Sequence, residues 1–268
     1  MNNKNKSQLD RVLREYSVNK KRLMPWREDV RPYYVLVSEM MLQQTQVDRV
    51  IPKFQDFIAA FPDFETLAVA KFSDVLKLWD GLGYNRRAKY LHDAAKIIVD
   101  KYNGKLPRTR VELESLPGIG PGTSGAIMAY AYNQPELFIE TNIRTVYIHH
   151  FFPGKQNVAD SDILDLLEKT IDKQNPREWY WALMDYGTHL KKTHGNLSQQ
   201  SKSYTKQSRY KGSDRELRAK ILKLLLSGPR SIKGLDDLLK DPRLESIVTD
   251  LVKDRLVIQH GDLIKLSD

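Results

Sequence analysis

The stretch Leu116-Pro117-Gly118-Ile119-Gly120 carries the strongest local signal in the sequence, because it joins two segments with helical spacing of apolar residues. One helix should end near Leu116 and the next should begin near Pro121. Two glycines allow a tight reversal and a close approach of the backbone to a ligand, and the new helix points free N–H groups outward. Such a turn can hold a phosphate group, although the same residues also suit an ordinary helix–helix connection.

Apolar residues recur at helical spacing through most of the chain, and few alternating strand patterns occur, so the sequence predicts a mainly α fold. One example is a helix in Asp74–Trp79, a turn at Gly81–Gly83 and a second helix from about Arg86. The polar residues Met1–Lys6 are typical of a short tail.

The composition narrows the function classes. Lys and Arg outnumber Asp and Glu by 43 to 34 in 268 residues, and this excess favours a polyanionic partner. No stretch approaches the roughly 18 apolar residues of a membrane span, and the start does not resemble a signal peptide, so we expect a cytoplasmic protein of bacterial type. The sequence has no cysteine, which excludes disulfides, thiolate zinc sites and cysteine-ligated iron–sulfur clusters; we expect no cofactor.

Three regions follow from composition: a core in residues 1–187, a basic linker in 188–213 without any acidic residue, and a compact unit in 214–268. The last unit shows three helical patterns and a terminal hairpin, namely Asp214–Leu226, Ser231–Leu239, Leu244–Asp254 and Leu256–Leu266. This order predicts a winged-helix-like domain; a small packing domain without a DNA role is the alternative.

Two carboxylates stand in apolar surroundings. Glu39 is the one acid or base of ordinary pKa within Tyr33–Val47, and burial there would raise its pKa and make it a proton donor near neutral pH. Glu140 follows an apolar run and precedes a helical pattern, where N–H donors and the helix dipole should keep it ionised and able to face a developing cation. One neutral and one charged carboxylate suit cleavage of a glycosidic bond. Singly, each also suits a plainer role, as a salt-bridge partner or a helix cap.

Several motifs occur together in the order and at the spacing of one known family. They are Met24–Arg27, Ser38–Val47, Gly81–Tyr84 with Arg86–Leu91, Leu116–Gly120 and Ala182–Gly187. Over about Leu13–Gly187 the chain resembles the MutY-like adenine DNA glycosylases of the helix-hairpin-helix superfamily. The resemblance implies a two-lobed catalytic core that binds double-stranded DNA, and we expect a monomer without membrane association.

The resemblance also implies roles for individual residues. Glu39 matches the acid that protonates the departing adenine, and Gln43 and Gln44 match the segment that fills the space of the flipped nucleotide. Tyr84 matches an aromatic wedge beside the opposing base, with a core aromatic as the alternative. Trp26 and Arg27 match residues near the base pocket. The other expected DNA contacts are Leu116, Gly118, Gly120, Gly122, Lys191, Lys202 and Lys206.

The departures from the family are informative. Glu140 stands where the family has the Asp that stabilises the sugar cation, so the carboxylate is displaced by about one C–C bond. Gly122 stands where bifunctional relatives carry a Lys nucleophile, which implies a monofunctional enzyme that uses water. Because glycine has no side chain, Gly122 also leaves room in the pocket. The basic linker replaces the iron–sulfur loop, and the C-terminal unit differs from the Nudix-like domain of MutY.

We therefore predict a monofunctional glycosylase of base excision repair that removes a mispaired base, adenine opposite 8-oxoguanine or G being the first candidate. Excision of thymine or uracil opposite G is the second hypothesis, kept open by Gly122. A noncatalytic protein that binds distorted DNA is the third.

Overall fold

Helices make up most of the computed structural model, which describes residues 3–268. They form two compact units. The first unit contains residues 3–35, Arg108–Ser115 and Ile119–Lys206. The second contains Leu36–Pro107, Leu116–Gly118 and Gln207–Asp268. The mainly α class predicted from the sequence is confirmed, while the units divide the chain differently from the predicted regions.

The first unit is built from helices that pack around the long helix α12 (Pro176–His194). Its helices are α1 (Asn3–Val18), α2 (Pro25–Glu28), α8 (Arg110–Glu114), α9 (Pro121–Tyr130), α10 (Thr141–Phe151), α11 (Asp160–Thr170), α12 (Pro176–His194) and a 3-10 helix (Leu197–Gln200). Helix α3 (Pro32–Leu42) begins in this unit and ends in the second. Tyr147 and Tyr180 are fully buried in the core.

The predicted N-terminal tail is wrong for the residues that the structure describes, because α1 already begins at Asn3. Leu9, Leu13 and Tyr16 lie on one face of α1 and are buried. Their spacing makes the helix amphipathic, so burial of this face stabilises the polar turns that precede it. Met1 and Asn2 lie outside the described residues.

The second unit combines a helical part with a small C-terminal module. Its elements are α4 (Val47–Ala60), α5 (Phe64–Val69), α6 (Phe72–Trp79), α7 (Arg86–Tyr102), α13 (Asp214–Leu225), β1 (Arg230–Ser231), α14 (Ile232–Leu239), α15 (Leu244–Lys253), β2 (Val257–His260) and β3 (Leu263–Leu266). Phe54, Phe57, Phe72 and Trp79 are fully buried and form much of the helical core.

The C-terminal module closes with an antiparallel sheet of strand order β1-β3-β2. His260 pairs with Leu263, so a two-residue turn connects β2 and β3, and Gly261 supplies the positive φ of 59° that such a turn requires. The predicted helices and hairpin are present. The sequence did not predict β1, whose two residues are too short to show an alternating pattern.

The predicted linker at 188–213 is ordered for much of its length. Helix α12 continues to His194, so Lys191 is helical. Beyond it, Val158 N donates to the Gln200 carbonyl and Lys202 N donates to the Val158 carbonyl, both at 2.9 Å. Ser198 and Ser201 are buried there. Small hydroxyl side chains can be buried when they are hydrogen-bonded, which composition alone does not reveal.

Candidate active site

Glu39 lies on α3, less than one turn before the helix ends at Leu42. Its neighbours Val37, Met40 and Met41 are buried, whereas Glu39 is half-buried. The carboxylate of Glu39 therefore lies among apolar side chains and is partly accessible to solvent. Its role as general acid stays a prediction.

The two turns that carry the predicted DNA-contacting residues of the second unit have unusual backbone conformations. Gln44, after α3, has φ 58°, and Tyr84, before α7, has φ 48°. Residues other than glycine rarely adopt this left-handed backbone conformation, and those that do often lie at functional sites. Both predicted positions therefore have a backbone conformation that is uncommon for residues with a side chain.

Arg87 fastens these two turns together. Its guanidinium donates to carbonyls in the last turn of α3, after α3 and before α7, and to one hydroxyl. The acceptors are the carbonyls of Met40, Met41, Gln43, Leu82 and Gly83, and Oγ1 of Thr45. Burial lowers the pKa of Arg87 to about 10, so the side chain stays charged at neutral pH. Arg87 had no predicted role. The feature of the sequence that could have indicated a role is the position of this arginine beside Ala88 and Leu91, on the buried face of α7.

Tyr84 is partly exposed, so it does not occupy the core position that the sequence left open. Two guanidinium groups lie over its ring, with the Cζ atoms of Arg87 and Arg215 at 5.4 and 5.1 Å from the ring centroid. Its hydroxyl accepts hydrogen bonds from Arg215 (2.8 Å) and from Gln207. The Tyr84 ring thus contacts two cations. The positive charge of these two side chains favours contact with a polyanion.

Four predicted DNA-contacting residues of the second unit line one cavity of about 320 Å³: Gln43, Gln44, Tyr84 and Gly118. A second cavity, of about 420 Å³, lies beside the first and shares Gln44 and Tyr84 with it. The structure therefore brings these predicted residues together, and their contact with DNA stays a prediction.

The glycine-rich turn has one crowded and one open glycine. Gly118 has φ 76°, and a Cβ atom there would lie 2.8 Å from side-chain atoms of Met40 and Tyr90. Leu116 is buried at the start of the turn. Gly120 precedes the first residue of α9, and a Cβ atom there would meet nothing within 4 Å. Gly118 is thus required by packing, while Gly120 leaves an accessible backbone.

Glu140 caps α10 in the first unit. Its Oε1 accepts hydrogen bonds from the backbone N–H groups of Asn142 (2.7 Å) and Ile143 (3.2 Å). This confirms the predicted position at a helix entry. Burial nevertheless raises the pKa of Glu140 above its ordinary value, against these N–H donors and the charge of Arg144. The direction is opposite to the predicted one, because desolvation of the carboxylate outweighs the hydrogen bonds.

Arg110 ties the beginning of α9 to the segment that leads to Glu140. Its guanidinium donates to the carbonyls of Leu137 (3.1 Å) and Pro121 (3.0 Å). Gly122 lies in the same place: a Cβ atom there would be 3.7 Å from the Ile139 carbonyl oxygen. The structure therefore places Gly122 beside the residue that precedes Glu140. Arg110 had no predicted role.

The predicted basic residues of the first unit, Lys191, Lys202 and Lys206, are all exposed. The segment with Lys202 is held by Asp160, which accepts a hydrogen bond from Ser203 (2.9 Å) and two from Arg144 (2.8 and 2.7 Å). This network connects the ordered part of the predicted linker to α10. Phosphate contacts by the three lysines stay a prediction.

Trp26 and Arg27, the predicted base-pocket residues, are buried in the first unit. The Arg27 guanidinium binds both carboxylate oxygens of Asp185, and its Cζ lies 5.2 Å from the centroid of the Trp181 ring. Arg22 binds the same carboxylate through its Nε at 2.6 Å. Contact of Trp26 or Arg27 with a base stays a prediction, and the ion-pair cluster around Asp185 was not foreseen.

Residues 3–268 show neither a metal site nor a membrane span. Within this range no group of three His, Asp or Glu side chains is placed to hold a metal ion. Nor does the described part of the chain contain a helix with the length and apolar character needed to span a membrane.

The chain is similar to several curated proteins called adenine DNA glycosylase. One, from Buchnera aphidicola subsp. Baizongia pistaciae, is 37% identical over 66% of this chain and 50% of its own length. Another, from Mycobacterium tuberculosis, is 30% identical over 87% of this chain and 86% of its own length. The chain thus spans about half the length of the Buchnera relatives and most of the mycobacterial one.

The fold is similar to solved structures of DNA repair proteins. A thermostable thymine-DNA glycosylase is 26% identical with a TM-score of 0.61, covering 69% of this chain and 87% of its own. Endonuclease III in a trapped covalent complex with DNA has a TM-score of 0.58 at 19% identity, covering 69% and 86%. The family model described as "HhH-GPD superfamily base excision DNA repair protein" matches residues 37–172. The chain therefore belongs to the HhH-GPD superfamily of base excision DNA repair proteins.

Proposed function

We propose that this chain is a monofunctional DNA glycosylase that acts as a monomer on double-stranded DNA and excises adenine opposite 8-oxoguanine or G. The observation that carries the substrate is the similarity to proteins called adenine DNA glycosylase, one of which is matched over 86% of its length. The sequence has no cysteine, so the reaction must proceed without an iron–sulfur cluster.

In the proposed reaction Glu39 donates a proton to the base, and the bond from the base to C1′ of the sugar breaks with its electron pair going to the base. The resulting sugar cation is stabilised by the carboxylate of Glu140. Water adds to C1′ and gives up a proton to solvent, leaving an abasic sugar, and the Glu39 carboxylate regains a proton from solvent. The half-buried position of Glu39 in an apolar helix supports its role as the proton donor.

Glu140 is proposed to replace the family's aspartate. Its carboxylate is fixed by two N–H donors, which favours a single position for the negative charge. Arg144 adds a favourable charge from one turn further along α10. Because burial raises the pKa of Glu140, the activity of the proposed enzyme should fall at a higher pH on acidification than it would if this glutamate were exposed.

Gly122 supports a reaction that uses water, because no amine stands at the position of the Lys nucleophile of bifunctional relatives. We expect no complex with DNA to be trapped by borohydride for the wild type. Gly122→Lys should give such a complex, since a Cβ atom there meets no atom closer than 3.7 Å.

Thymine or uracil opposite G is the second candidate substrate. It is favoured by the similarity to a thymine-DNA glycosylase at 26% identity and by the space at Gly122. For residues 214–268 we propose a winged-helix fold, supported by the order helix, strand, two helices and a two-stranded hairpin.

The test is single-turnover excision on four duplexes, holding A opposite 8-oxoguanine, A opposite G, T opposite G and U opposite G, each followed by alkali. We expect the fastest excision of A. Glu39→Gln should lower the rate at least about 100-fold at unchanged DNA affinity, and exposed Glu245→Gln serves as the control. Fastest cleavage of T or U would transfer the assignment to the second substrate. Binding without cleavage of any duplex would indicate a noncatalytic binder.

A further inference from the structure

Helix α13 of the C-terminal module, residues 214–268, lies against the turn that carries Tyr84. Arg215 of α13 donates to the Tyr84 hydroxyl at 2.8 Å, and its Cζ lies 5.1 Å from the centroid of the ring. Gln207, shortly before the module, donates to the same hydroxyl. Arg87 of α7 also lies over the ring, with its Cζ at 5.4 Å. Groups of this chain therefore occupy both the ring and the hydroxyl of Tyr84.

Ion pairs hold α13 in this position. The side chain of Asp254 is 8% exposed and binds both Arg86, next to the turn, and Arg218 of α13. Lys223 Nζ lies 3.6 Å from the carboxylate of Asp80, where both side chains are largely exposed. Cations around the turn are thus paired with carboxylates of this chain, and added salt weakens the exposed pairs.

The packing between α13 and the turn is incomplete. The cavity of about 420 Å³ has apolar side chains on both sides, Leu76 and Leu82 on one and Leu222 and Leu226 on the other. Apolar side chains that face a cavity lack the dispersion contacts of a packed core. The contact therefore depends mainly on ion pairs and hydrogen bonds, and a polyanion that binds the same cations competes with it.

The segment before α13 suits a hinge. Residues 202–212 are exposed and contain neither helix nor strand. Gly212 has φ 78°, a backbone conformation that favours glycine, and α13 begins two residues later at Asp214. Hinges are commonly formed by a few loop residues next to the end of an element, because these can absorb a large change of φ and ψ.

We propose that α13 is an autoinhibitory latch, which closes over the Tyr84 turn in the DNA-free chain and has to swing away before DNA binds this turn. The inference rests on the proposed function in one respect, that the Tyr84 turn contacts DNA. In the closed chain a phosphate beside Arg86 would meet the carboxylate of Asp254, and like charges repel each other. Opening exposes Arg86 and the ring of Tyr84, so the apparent affinity for DNA is the intrinsic affinity multiplied by the fraction of open chains.

The test uses the full chain and a duplex with a tetrahydrofuran abasic analogue opposite guanine, a probe that holds no base to excise. Arg215→Ala should bind this duplex about five-fold more tightly than wild type, although it removes a positive charge, because loss of the contact raises the open fraction. Tyr84→Phe changes no charge and removes only the hydroxyl, so it should bind about three-fold more tightly.

Lys233→Ala is the matched control, because Lys233 is an exposed cation of the same module that lines neither cavity. This variant should bind no more tightly than wild type. Thermal unfolding of each variant checks that folding is retained. If either Arg215→Ala or Tyr84→Phe fails to bind more tightly than wild type, the latch is overturned.

A second measurement follows the module directly and leaves the contact intact. Because the sequence has no cysteine, two dyes can be attached specifically after Ala59→Cys on α4 and Ser246→Cys on α15, both at exposed positions. Energy transfer between the dyes should fall when the duplex is added to saturation. Unchanged transfer at saturation would overturn the latch.

Both measurements are independent of the proposed chemistry. If Glu39→Gln excises as fast as wild type while energy transfer falls and Arg215→Ala binds more tightly, the proposed chemistry fails and the latch stands. If Glu39→Gln is inactive while DNA leaves energy transfer unchanged, the latch fails and the proposed chemistry stands.

Discussion

The carboxylate of Asp185 accepts two hydrogen bonds from the guanidinium of Arg27, at 2.8 and 3.0 Å, and both side chains are almost fully buried. Removing the charge of one partner leaves the other desolvated without compensation. Asp185→Asn should therefore lower the free energy of unfolding by about 3–5 kcal/mol, measured by urea denaturation.

The control for this prediction is Lys77→Met, which removes an exposed ion pair with Asp74. Such pairs contribute roughly 0–1 kcal/mol, so this variant should unfold close to the wild-type denaturant midpoint. Equal destabilisation by both substitutions would show that burial of the Arg27–Asp185 pair does not determine its contribution.

Arg87 is the second buried cation with a structural role, because it donates to carbonyl groups at the end of α3, in the turn after α3 and in the turn before α7. Arg87→Lys keeps the charge but loses the planar fork that reaches several acceptors at once. We expect a loss of about 2–3 kcal/mol in the free energy of unfolding, since buried carbonyls are left unpaired. Amide hydrogen exchange should rise in residues 43–46 and 81–85. Unchanged protection there would contradict the fastening role.

Local patterns predicted much of this architecture, while tertiary contacts supplied the rest. Helix α9 begins at Pro121 as predicted, because proline and helical periodicity are properties of neighbouring residues. The contacts of Arg87 depend on carbonyls more than 40 residues away, which no periodicity reveals. For Glu140 the sequence identified the helix cap, yet the direction of its pKa shift follows from burial by the folded chain.

The two glycines of the Gly118–Gly120 turn should respond differently to alanine. Gly118→Ala combines a positive φ with a Cβ contact of 2.8 Å, so it should lower the free energy of unfolding by about 1–3 kcal/mol. Gly120→Ala has open space and should fold normally, but its methyl group would obstruct a phosphate and weaken DNA binding. Thermal unfolding and a DNA titration distinguish the effects. An unchanged unfolding free energy of Gly118→Ala would show that the side chains of Met40 and Tyr90 can move aside at little cost.

Burial lowers the pKa values of His92 and His150 to about 4 in the folded chain. An unfolded histidine titrates near 6.5, so between pH 6.5 and 4 the unfolded state binds more protons and stability falls as the pH falls. Each histidine should contribute up to about 3 kcal/mol to this loss. Denaturation midpoints from pH 7 to 4 measure it. His92→Gln should flatten the profile, and an unchanged slope would argue against a neutral buried His92.

The raised pKa of Glu140 gives the last prediction, which concerns activity. If the carboxylate must be ionised to stabilise the sugar cation, the single-turnover rate should fall on acidification at a pH above the ordinary range of a glutamate. Glu140→Asp should keep the cap on α10, because aspartate accepts from the same N–H groups, and its unfolding free energy should stay within about 1 kcal/mol of wild type. Its rate should change by about 100-fold at most, since the carboxylate moves by about one bond. Glu140→Gln, which carries no charge, should lose activity at every pH, and retention of the wild-type rate by this variant would remove Glu140 from the proposed chemistry.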